Sequence, residues 1–245
     1  MLKRAKVDWS KGSPEPIRAL NRMPENENNE PLVDLRVVAP EVRVGRLTTI
    51  PFVRQTVAEM THKAALSLPK GIVLVVSDAW RPKERQQRIY DWFWKCAKEA
   101  HPERDYSALR RTVNRFVAPP DHKAPPGHCT GAAIDCWLES EEGEALDLVS
   151  PFTRFTASST YCLGLTAEAS QNRLMLVTAM LNAGFSNCRD EYWHYSYGDA
   201  GWAVRTGSGS CVYGLISMDP AIYVAQERAF AQAISERPNP FFHAD

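Results

Sequence analysis

Residues 127–138 read Gly-His-Cys-Thr-Gly-Ala-Ala-Ile-Asp-Cys-Trp-Leu. The apolar run over 132–138 is typical of a buried strand, and a proline-rich loop precedes it. His128 and Asp135 are seven positions apart, so on one straight strand their side chains would point to opposite faces. Gly131 permits a turn between them, which would leave His128 in the loop and Asp135 on the strand, where the two side chains can converge.

A second stretch, residues 190–195, reads Asp-Glu-Tyr-Trp-His-Tyr. Glu191 and His194 are three positions apart, so Glu191 must precede the strand and the backbone must bend at Tyr192 for both side chains to face one point. Two imidazoles and a carboxylate can form a zinc site with an open fourth position, which a catalytic zinc needs. A further carboxylate could take a proton from the zinc-bound water. Spacing alone also allows a core histidine beside aromatic residues.

The rest of the chain mixes strands and helices irregularly, which favours a single α+β domain. The predicted helices cover 52–67, 83–98, 167–183 and a last segment that starts at Asp219-Pro220. The predicted strands cover 72–76, 132–138 and 192–197.

Each of these helices has a predicted apolar face. Over 167–183, Leu174, Val177 and Leu181 fall on one face, and Gly184 is expected to end the helix. In the last helix, the residues predicted to face inward are Ile222, Ala225, Ala229 and Ala233.

The first 35 residues differ from the rest in composition. They contain four prolines and the polar run Glu-Asn-Glu-Asn-Asn-Glu over 25–30, so they can bury little apolar surface. We expect an extended N-terminal arm over 1–35 and one domain over 36–245.

Composition excludes several classes of function. The 245 residues carry 29 Lys+Arg and 29 Asp+Glu, so the formal net charge is zero. This balance argues against a nucleic-acid-binding protein and gives no general attraction to anionic membranes. No segment approaches the roughly 18 uninterrupted apolar residues of a membrane span, and the basic N-terminus lacks the apolar stretch of a signal peptide. We therefore expect a cytoplasmic protein whose six cysteines are reduced.

Four motifs occur in order along the chain: Asp-Ala-Trp-Arg-Pro at 78–82, His-x-x-Gly-x-Ala-x-Asp at 128–135, Asn-Arg at 172–173 before a helix ending in Gly-Phe, and Glu-x-Trp-His-Tyr at 191–195. Together they resemble the zinc D-alanyl-D-alanine dipeptidase family of vancomycin-resistance type. Leu-Val-Asp-Leu-Arg at 32–36 also looks like the family's N-terminal start, so the resemblance covers about residues 32–205. It implies a small, mostly antiparallel sheet flanked by helices, as in DD-peptidases and hedgehog-like domains.

The resemblance also implies roles for single residues. It implies one zinc ion per chain, and the matching ligands are His128, Asp135 and His194. Glu191 matches the catalytic general base, and Arg81 matches an arginine that stabilises the transition state. Asp147 matches an acid that pairs with the free amine of the substrate. The implied substrate is D-Ala-D-Ala or a similar small zwitterionic dipeptide, with no nucleic-acid or membrane partner.

Departures from the family pattern leave the substrate side chains open. Pro126 stands where the family usually has serine, and residues 43–49 replace a family segment near the substrate pocket. Two alternatives share the zinc motifs: a D-alanyl-D-alanine carboxypeptidase or peptidoglycan endopeptidase, and a zinc-stabilised binding module without turnover. A thiol mechanism through Cys129 or Cys136 is a further alternative, although both are more simply small core residues.

Overall fold

The computed structural model describes residues 5–242. Its helices are α1 (Ile17–Leu20), α2 (Leu35–Val38), α3 (Gln55–Leu66), α4 (Lys83–Ala100), α5 (Tyr106–Val113), α6 (Ala167–Ala183), α7 (Ala200–Thr206) and α8 (Val224–Glu236). Its strands are β1 (Lys6–Val7), β2 (Leu32–Asp34), β3 (Arg43–Val44), β4 (Phe52–Arg54), β5 (Ile72–Asp78), β6 (Ala133–Ser140), β7 (Cys162–Leu163), β8 (Ser186–Asn187) and β9 (His194–Ser196). Short 3-10 turns cover Gly127–Thr130 and Pro220–Ile222.

Five strands form the central sheet, in the order β3-β5-β6-β9-β8. Only β3 and β5 run parallel, and the other three pairs are antiparallel. Two further pairs, β1 with β7 and β2 with β4, lie outside this sheet. The predicted α+β fold with a small, mostly antiparallel sheet is therefore confirmed.

The core lies on one face of this sheet, under α3 and α6. Buried strand residues on that face are Leu74, Val76, Ile134, Cys136 and Leu138. The two helices contribute the buried residues Val57, Ala64, Leu176 and Met180. Side chains alternate along β6, so Asp135, Trp137 and Glu139 point to the opposite face and are only half-buried. That second face carries the candidate site.

The predicted elements near this sheet are largely confirmed, with two corrections. The strand predicted over 192–197 covers only His194–Ser196. The segment 52–67 is not helical throughout, because Phe52–Arg54 pairs with Leu32–Asp34 as a strand and the helix begins only at Gln55. The pairing is reinforced by the buried Arg54 side chain, whose Nε donates to the Thr130 carbonyl oxygen at 2.8 Å. The strand predicted over 72–76 continues to Asp78, and the strand predicted over 132–138 continues to Ser140.

Helix α6 has its predicted bounds, but its predicted apolar face is not the packed one. Gly184 ends it in the left-handed conformation, with φ 110°. Leu174 is 66% exposed and Leu181 is 43% exposed. The packed side instead includes Arg173, whose guanidinium donates to backbone carbonyl oxygens of Leu148, Ala157 and Ser159. Arg173 thus lies inward because the loops beside it supply hydrogen-bond acceptors. The periodicity of apolar residues along the helix contains no information about these acceptors.

The inward face predicted for the last helix is wrong. Ile222 is 55% exposed, and no residue of α8 is fully buried. The helix packs instead through Phe230, which lies under the guanidinium of Arg85 at 4.7 Å, and through Glu227, which accepts a hydrogen bond from the same arginine at 2.6 Å. Cation–π stacking and ion pairing therefore hold this helix in place. The alanine spacing had predicted apolar packing instead.

The described part of the arm, from residue 5, follows the domain surface. Glu27 accepts hydrogen bonds from Arg54, and Glu30 accepts one from the Thr56 hydroxyl at 2.7 Å. Glu15 pairs with Arg205 at 2.7 Å. The polar run is therefore bound through its carboxylates. Across residues 5–242, no helix is both long and apolar enough to pass through a membrane.

Candidate metal centre

Three side chains that are far apart in sequence meet on the open face of the sheet. Nε2 of His128 lies 3.3 Å from Oδ1 of Asp135, and Nδ1 of His194 lies 3.0 Å from the same oxygen. One ligand atom from each of the three residues lies within 4.8 Å of the other two. Ligands about 2.0–2.1 Å from a tetrahedral zinc are about 3.3 Å apart, so the spacing suits such an ion.

The turn predicted at Gly131 brings His128 to the strand. Residues 127–130 form a 3-10 turn that Gly131 ends with φ 73°, in the left-handed region that favours glycine. The buried Arg54 fixes this turn, because its backbone N–H donates to the Gly131 carbonyl oxygen at 2.9 Å and its side chain bonds to the Thr130 carbonyl. His128 therefore lies in the loop and Asp135 on β6, as the spacing required.

Strand pairing positions the second histidine. Asp135 and His194 are direct partners in the antiparallel pairing of β6 with β9. Glu191 precedes β9 in a turn closed by the His194 N–H, which donates to the Glu191 carbonyl oxygen at 3.1 Å. The bend that the sequence required between Glu191 and His194 is therefore present.

The hydrogen bonds of His128 leave the correct nitrogen available for a metal. Its Nδ1 lies 2.8 Å from the Ala79 carbonyl oxygen, which can only accept, so Nδ1 carries the proton. Nε2, which faces Asp135, is then the ring nitrogen that could bind a metal. Histidine ligands of metals are commonly held by such a bond from the other ring nitrogen. The donor set, its spacing and this orientation all fit zinc.

Without a metal, Asp135 and the two histidines strongly affect each other's charge. Burial acts to raise the pKa of Asp135, but His128 and His194 outweigh it and hold that pKa well below its usual range. Burial acts to lower the pKa of His194, but hydrogen bonding and charge attraction from Asp135 raise it to about 9. A metal ion would replace the proton on His194 as the positive partner of Asp135.

The surroundings of Glu191 raise the pKa of its carboxyl group. Burial raises the pKa of this carboxyl, the positive charge of His194 opposes the change, and the charge of Asp135 adds to it. A carboxylate with a raised pKa is a stronger base than one in water.

Arg81 lies at the edge of the centre in a fixed position. Its backbone N–H donates to the His128 carbonyl oxygen at 3.0 Å. Its guanidinium pairs with Asp78 and donates to Gln86, each at 2.5 Å. Its Nε is buried without a hydrogen-bond partner in the part of the chain that the structure describes. One donor of a permanent cation is thus left for a further acceptor.

Asp78 is a site residue to which the sequence analysis assigned no role. It lies opposite Asp135 in the pairing of β5 with β6, beyond an irregularity in the register. Burial acts to raise its pKa, but the charges of Arg81 and His128 lower it overall. Asp78 therefore remains ionised and holds Arg81 beside the three converging side chains. The motif over 78–82 contained this residue, and its spacing of three from Arg81 was the available signal.

The structure does not bring Asp147 into the cluster of three ligands. Oδ1 of Asp147 accepts hydrogen bonds from the backbone N–H groups of Val149 and Ser150, both at 2.9 Å. Burial acts to raise its pKa, but these two hydrogen bonds lower it overall. Asp147 thus stabilises a local turn through one oxygen and remains charged.

The two cysteines beside the centre lack the properties of a nucleophile. Burial raises the pKa of Cys129 to about 11 and that of Cys136 well above its usual range. Thiolate is the reactive form, so little of it is present near neutral pH. All six cysteines carry free thiols.

The chain is similar to several known proteins. A sequence model of the family described as D-ala-D-ala dipeptidase matches residues 48–208, more than half of the chain. The chain is 27% identical over 180 residues to a D-alanyl-D-alanine dipeptidase of Escherichia coli (strain K12), covering 67% of this chain and 83% of the relative. It is 27% identical over 183 residues to a D-alanyl-D-alanine dipeptidase of Synechocystis sp., covering 66% and 71%. A solved structure, VanYB in complex with D-Alanine-D-Alanine, aligns with a TM-score of 0.41 at 15% identity, over 84% of this chain and 92% of that one.

Proposed function

The chain belongs to the D-Ala-D-Ala dipeptidase family, a family of zinc metallopeptidases, and from this premise we propose that it hydrolyses D-Ala-D-Ala or a similar short dipeptide. The proposed metal is one zinc ion per chain, and its proposed ligands are His128, Asp135 and His194. The observation that carries the proposal is the convergence of these three side chains, with one ligand atom of each within 4.8 Å of the others.

Proton transfer is assigned to Glu191. Zinc, when bound, supplies a Lewis acid that lowers the pKa of a water molecule to about 7. The Glu191 carboxylate would accept a proton from the attacking water and later donate it to the leaving amine. Its burial supports this role, because burial raises the pKa of Glu191 and so makes the carboxylate a better base.

Arg81 is assigned to the developing oxyanion of the substrate carbonyl. Asp78 and Gln86 hold its guanidinium, and its buried Nε still has a hydrogen to donate. A donor that is already oriented needs little reorganisation when charge develops, and one such donor is typically worth about 3–4 kcal/mol in the barrier.

Asp147 is proposed to pair with the free ammonium group of the dipeptide. Its Oδ1 is occupied by two backbone N–H groups, so Oδ2 is the oxygen that would face the substrate. A negative charge that pairs with the free ammonium group would favour a dipeptide over the end of a longer chain.

The experiment compares two substrates for release of D-alanine by the zinc-loaded protein: D-Ala-D-Ala and a pentapeptide that ends in D-Ala-D-Ala. We expect release from the dipeptide only. Release from the pentapeptide alone would indicate a carboxypeptidase, and zinc binding without hydrolysis of either would indicate a binding module. His194→Ala should lose both zinc and activity, whereas His62→Ala, which removes an exposed imidazole bonded to Glu41, should keep both.

A further inference from the structure

Three guanidinium groups have no neutralising partner in the described part of the protein. Their residues, which we call the arginine rim, are Arg46, Arg154 and Arg237. Among residues 5–242, none of the three side chains forms an ion pair or donates a hydrogen bond, and each instead stacks on an aromatic ring. Most other arginines close to the sheet have acidic or carbonyl partners, so the rim is a local excess of positive charge.

Arg46 lies in a loop that is fixed to β5 at both ends. The Gly45 N–H donates to the Val76 carbonyl oxygen at 2.9 Å, and the Thr49 hydroxyl donates to the Ser77 carbonyl oxygen at 2.7 Å. These anchors immediately precede Asp78 in β5. The loop therefore holds Arg46 close to the metal centre.

Close packing of the same loop places Arg46 on the face of the sheet that carries the site. A Cβ atom on Gly45 would lie 2.6 Å from Cγ1 of Val75 and 2.8 Å from the Trp137 ring, so only glycine allows this approach. The Arg46 guanidinium lies 5.6 Å from the centroid of Trp137. Trp137 shares its strand face with the ligand Asp135.

The other two arginines come from different segments and stack on tryptophan rings. The Arg154 guanidinium lies 4.2 Å from the centroid of Trp193, the residue before the ligand His194. The Arg237 guanidinium lies 4.9 Å from the centroid of Trp92. Stacking occupies the flat face of a guanidinium and leaves its N–H donors at the edge free for an anion.

Charge effects on Arg46 and Arg237 agree with this arrangement. Partial burial lowers the pKa of Arg46, the charge of Arg154 lowers it further, and Asp78 and Asp135 act to raise it. Burial likewise lowers the pKa of Arg237, with added effects from Arg46 and Arg154. Glu139, which lies on the same strand face, already accepts hydrogen bonds from Trp137 and Arg43. A bound anionic ligand would therefore reduce the repulsion among the three guanidinium groups of the arginine rim.

We propose that the arginine rim binds substrate carboxylates, and that the preferred substrate is a short peptide with an acidic side chain in addition to its C-terminal carboxylate. This inference rests on the proposed peptidase function. One carboxylate pairs with one guanidinium through a bidentate hydrogen bond. A neutral dipeptide has only one carboxylate, at its C-terminus, so three guanidinium groups could bind more carboxylates than it offers.

The test compares kcat/KM of the zinc-loaded protein for D-Ala-D-Ala, D-Ala-D-Glu and D-Glu-D-Ala. We expect at least one acidic dipeptide to exceed D-Ala-D-Ala by about tenfold, which corresponds to about 1.4 kcal/mol. Arg46→Gln and Arg154→Gln should each remove most of this preference. Arg111→Gln, which removes an exposed arginine on α5, should leave the preference unchanged.

A binding measurement separates failure of the rim from failure of the peptidase assignment. Calorimetry with zinc-loaded Glu191→Gln measures affinity for the same dipeptides without turnover. Suppose that the protein hydrolyses D-Ala-D-Ala and prefers no acidic dipeptide in rate or affinity. This result would overturn the proposed role of the arginine rim and leave the proposed function in place. Hydrolysis of no dipeptide would overturn the proposed function. In that case tighter binding of an acidic dipeptide, lost in Arg46→Gln, would still support the rim, and equal affinities would overturn it.

Discussion

Asp135 and His194 lie directly opposite each other on neighbouring antiparallel strands, with Oδ1 of the first 3.0 Å from Nδ1 of the second. Their meeting is therefore set by the register of β6 with β9. A slip of one residue would move the buried neighbours Ile134 and Cys136 to the open face, at a large cost in apolar burial. The folding energy of the sheet thus holds two of the three proposed zinc ligands in place, and the turn at Gly131 supplies the third.

Replacement of Gly131 by alanine should weaken both the fold and the metal site. The residue has φ 73°, and an added Cβ would collide with the Leu32 side chain, so we expect a loss of about 1–3 kcal/mol in unfolding free energy. Because the turn positions His128, zinc affinity should also fall. Urea unfolding and zinc titration measure the two effects.

The matched control for this change is Gly207→Ala. Gly207 has φ 72°, but open space surrounds the position of its Cβ, so only the backbone strain is shared. Equal losses of stability and unchanged zinc affinity in both variants would contradict a special role for the turn at Gly131.

The variant Arg81→Lys should lower kcat by roughly 10²–10³-fold, the usual effect of removing one oriented oxyanion donor. Lysine keeps the positive charge beside Asp78, so the fold and the zinc content should be retained. Steady-state kinetics on D-Ala-D-Ala, with metal analysis of the same sample, measures both. A kcat equal to that of the wild type would remove Arg81 from the proposed mechanism.

The variant Asp147→Asn tests the proposed ammonium partner without disturbing the turn. Asparagine keeps an oxygen that can accept from the N–H groups of Val149 and Ser150, but it has no charge. Loss of a charge-assisted bond to the substrate should raise KM about tenfold, with thermal stability nearly unchanged. An unchanged KM would assign Asp147 to the turn alone.

In the metal-free protein, Glu191→Gln should increase stability at neutral pH. Burial raises the pKa of Glu191 above its ordinary value of 4.5, so the folded state binds this proton more tightly than the unfolded state. The resulting stability is complete below pH 4.5 and is lost as the pH rises through the folded pKa. The gain from glutamine should therefore appear at pH 7 and vanish below pH 4.5.

Urea unfolding in the presence of a chelator, at both pH values, measures this difference. The exposed carboxylate of Glu141 provides the control, and Glu141→Gln should show no such dependence. A gain from Glu191→Gln that is the same at both pH values would contradict burial as its cause.

Local patterns predicted most of the central elements, but not which faces are packed. The apolar run at 72–76 and the capping glycine Gly184 are signals of neighbouring residues, and the structure confirms both elements. Whether Leu174 or Arg173 of α6 faces the core depends on acceptors in the loop at 148–159, far along the chain. Contacts at such separation are not encoded in a helical period.

For the candidate site, too, local motifs predicted some residues and missed others. The motifs predicted that His128, Asp135 and His194 converge. This prediction was possible because the turn at Gly131 and the bend before His194 follow from residue spacing and from the conformational range of glycine. Asp78 and Arg46 were missed, since their proximity to Asp135 arises from strand register and from a loop packed on Trp137. Strand register is a property of the folded sheet that no short motif reports.

The central claim is that a zinc ion on the three converging side chains acts with Glu191 in peptide hydrolysis. The most direct test measures zinc content and D-alanine release together, for the wild type and for Glu191→Ala. The account predicts one zinc per chain in both proteins, release of D-alanine from D-Ala-D-Ala by the wild type, and a loss of roughly 10²–10⁴-fold in the variant. A wild type that binds no zinc, or a zinc-loaded variant as active as the wild type, would contradict it.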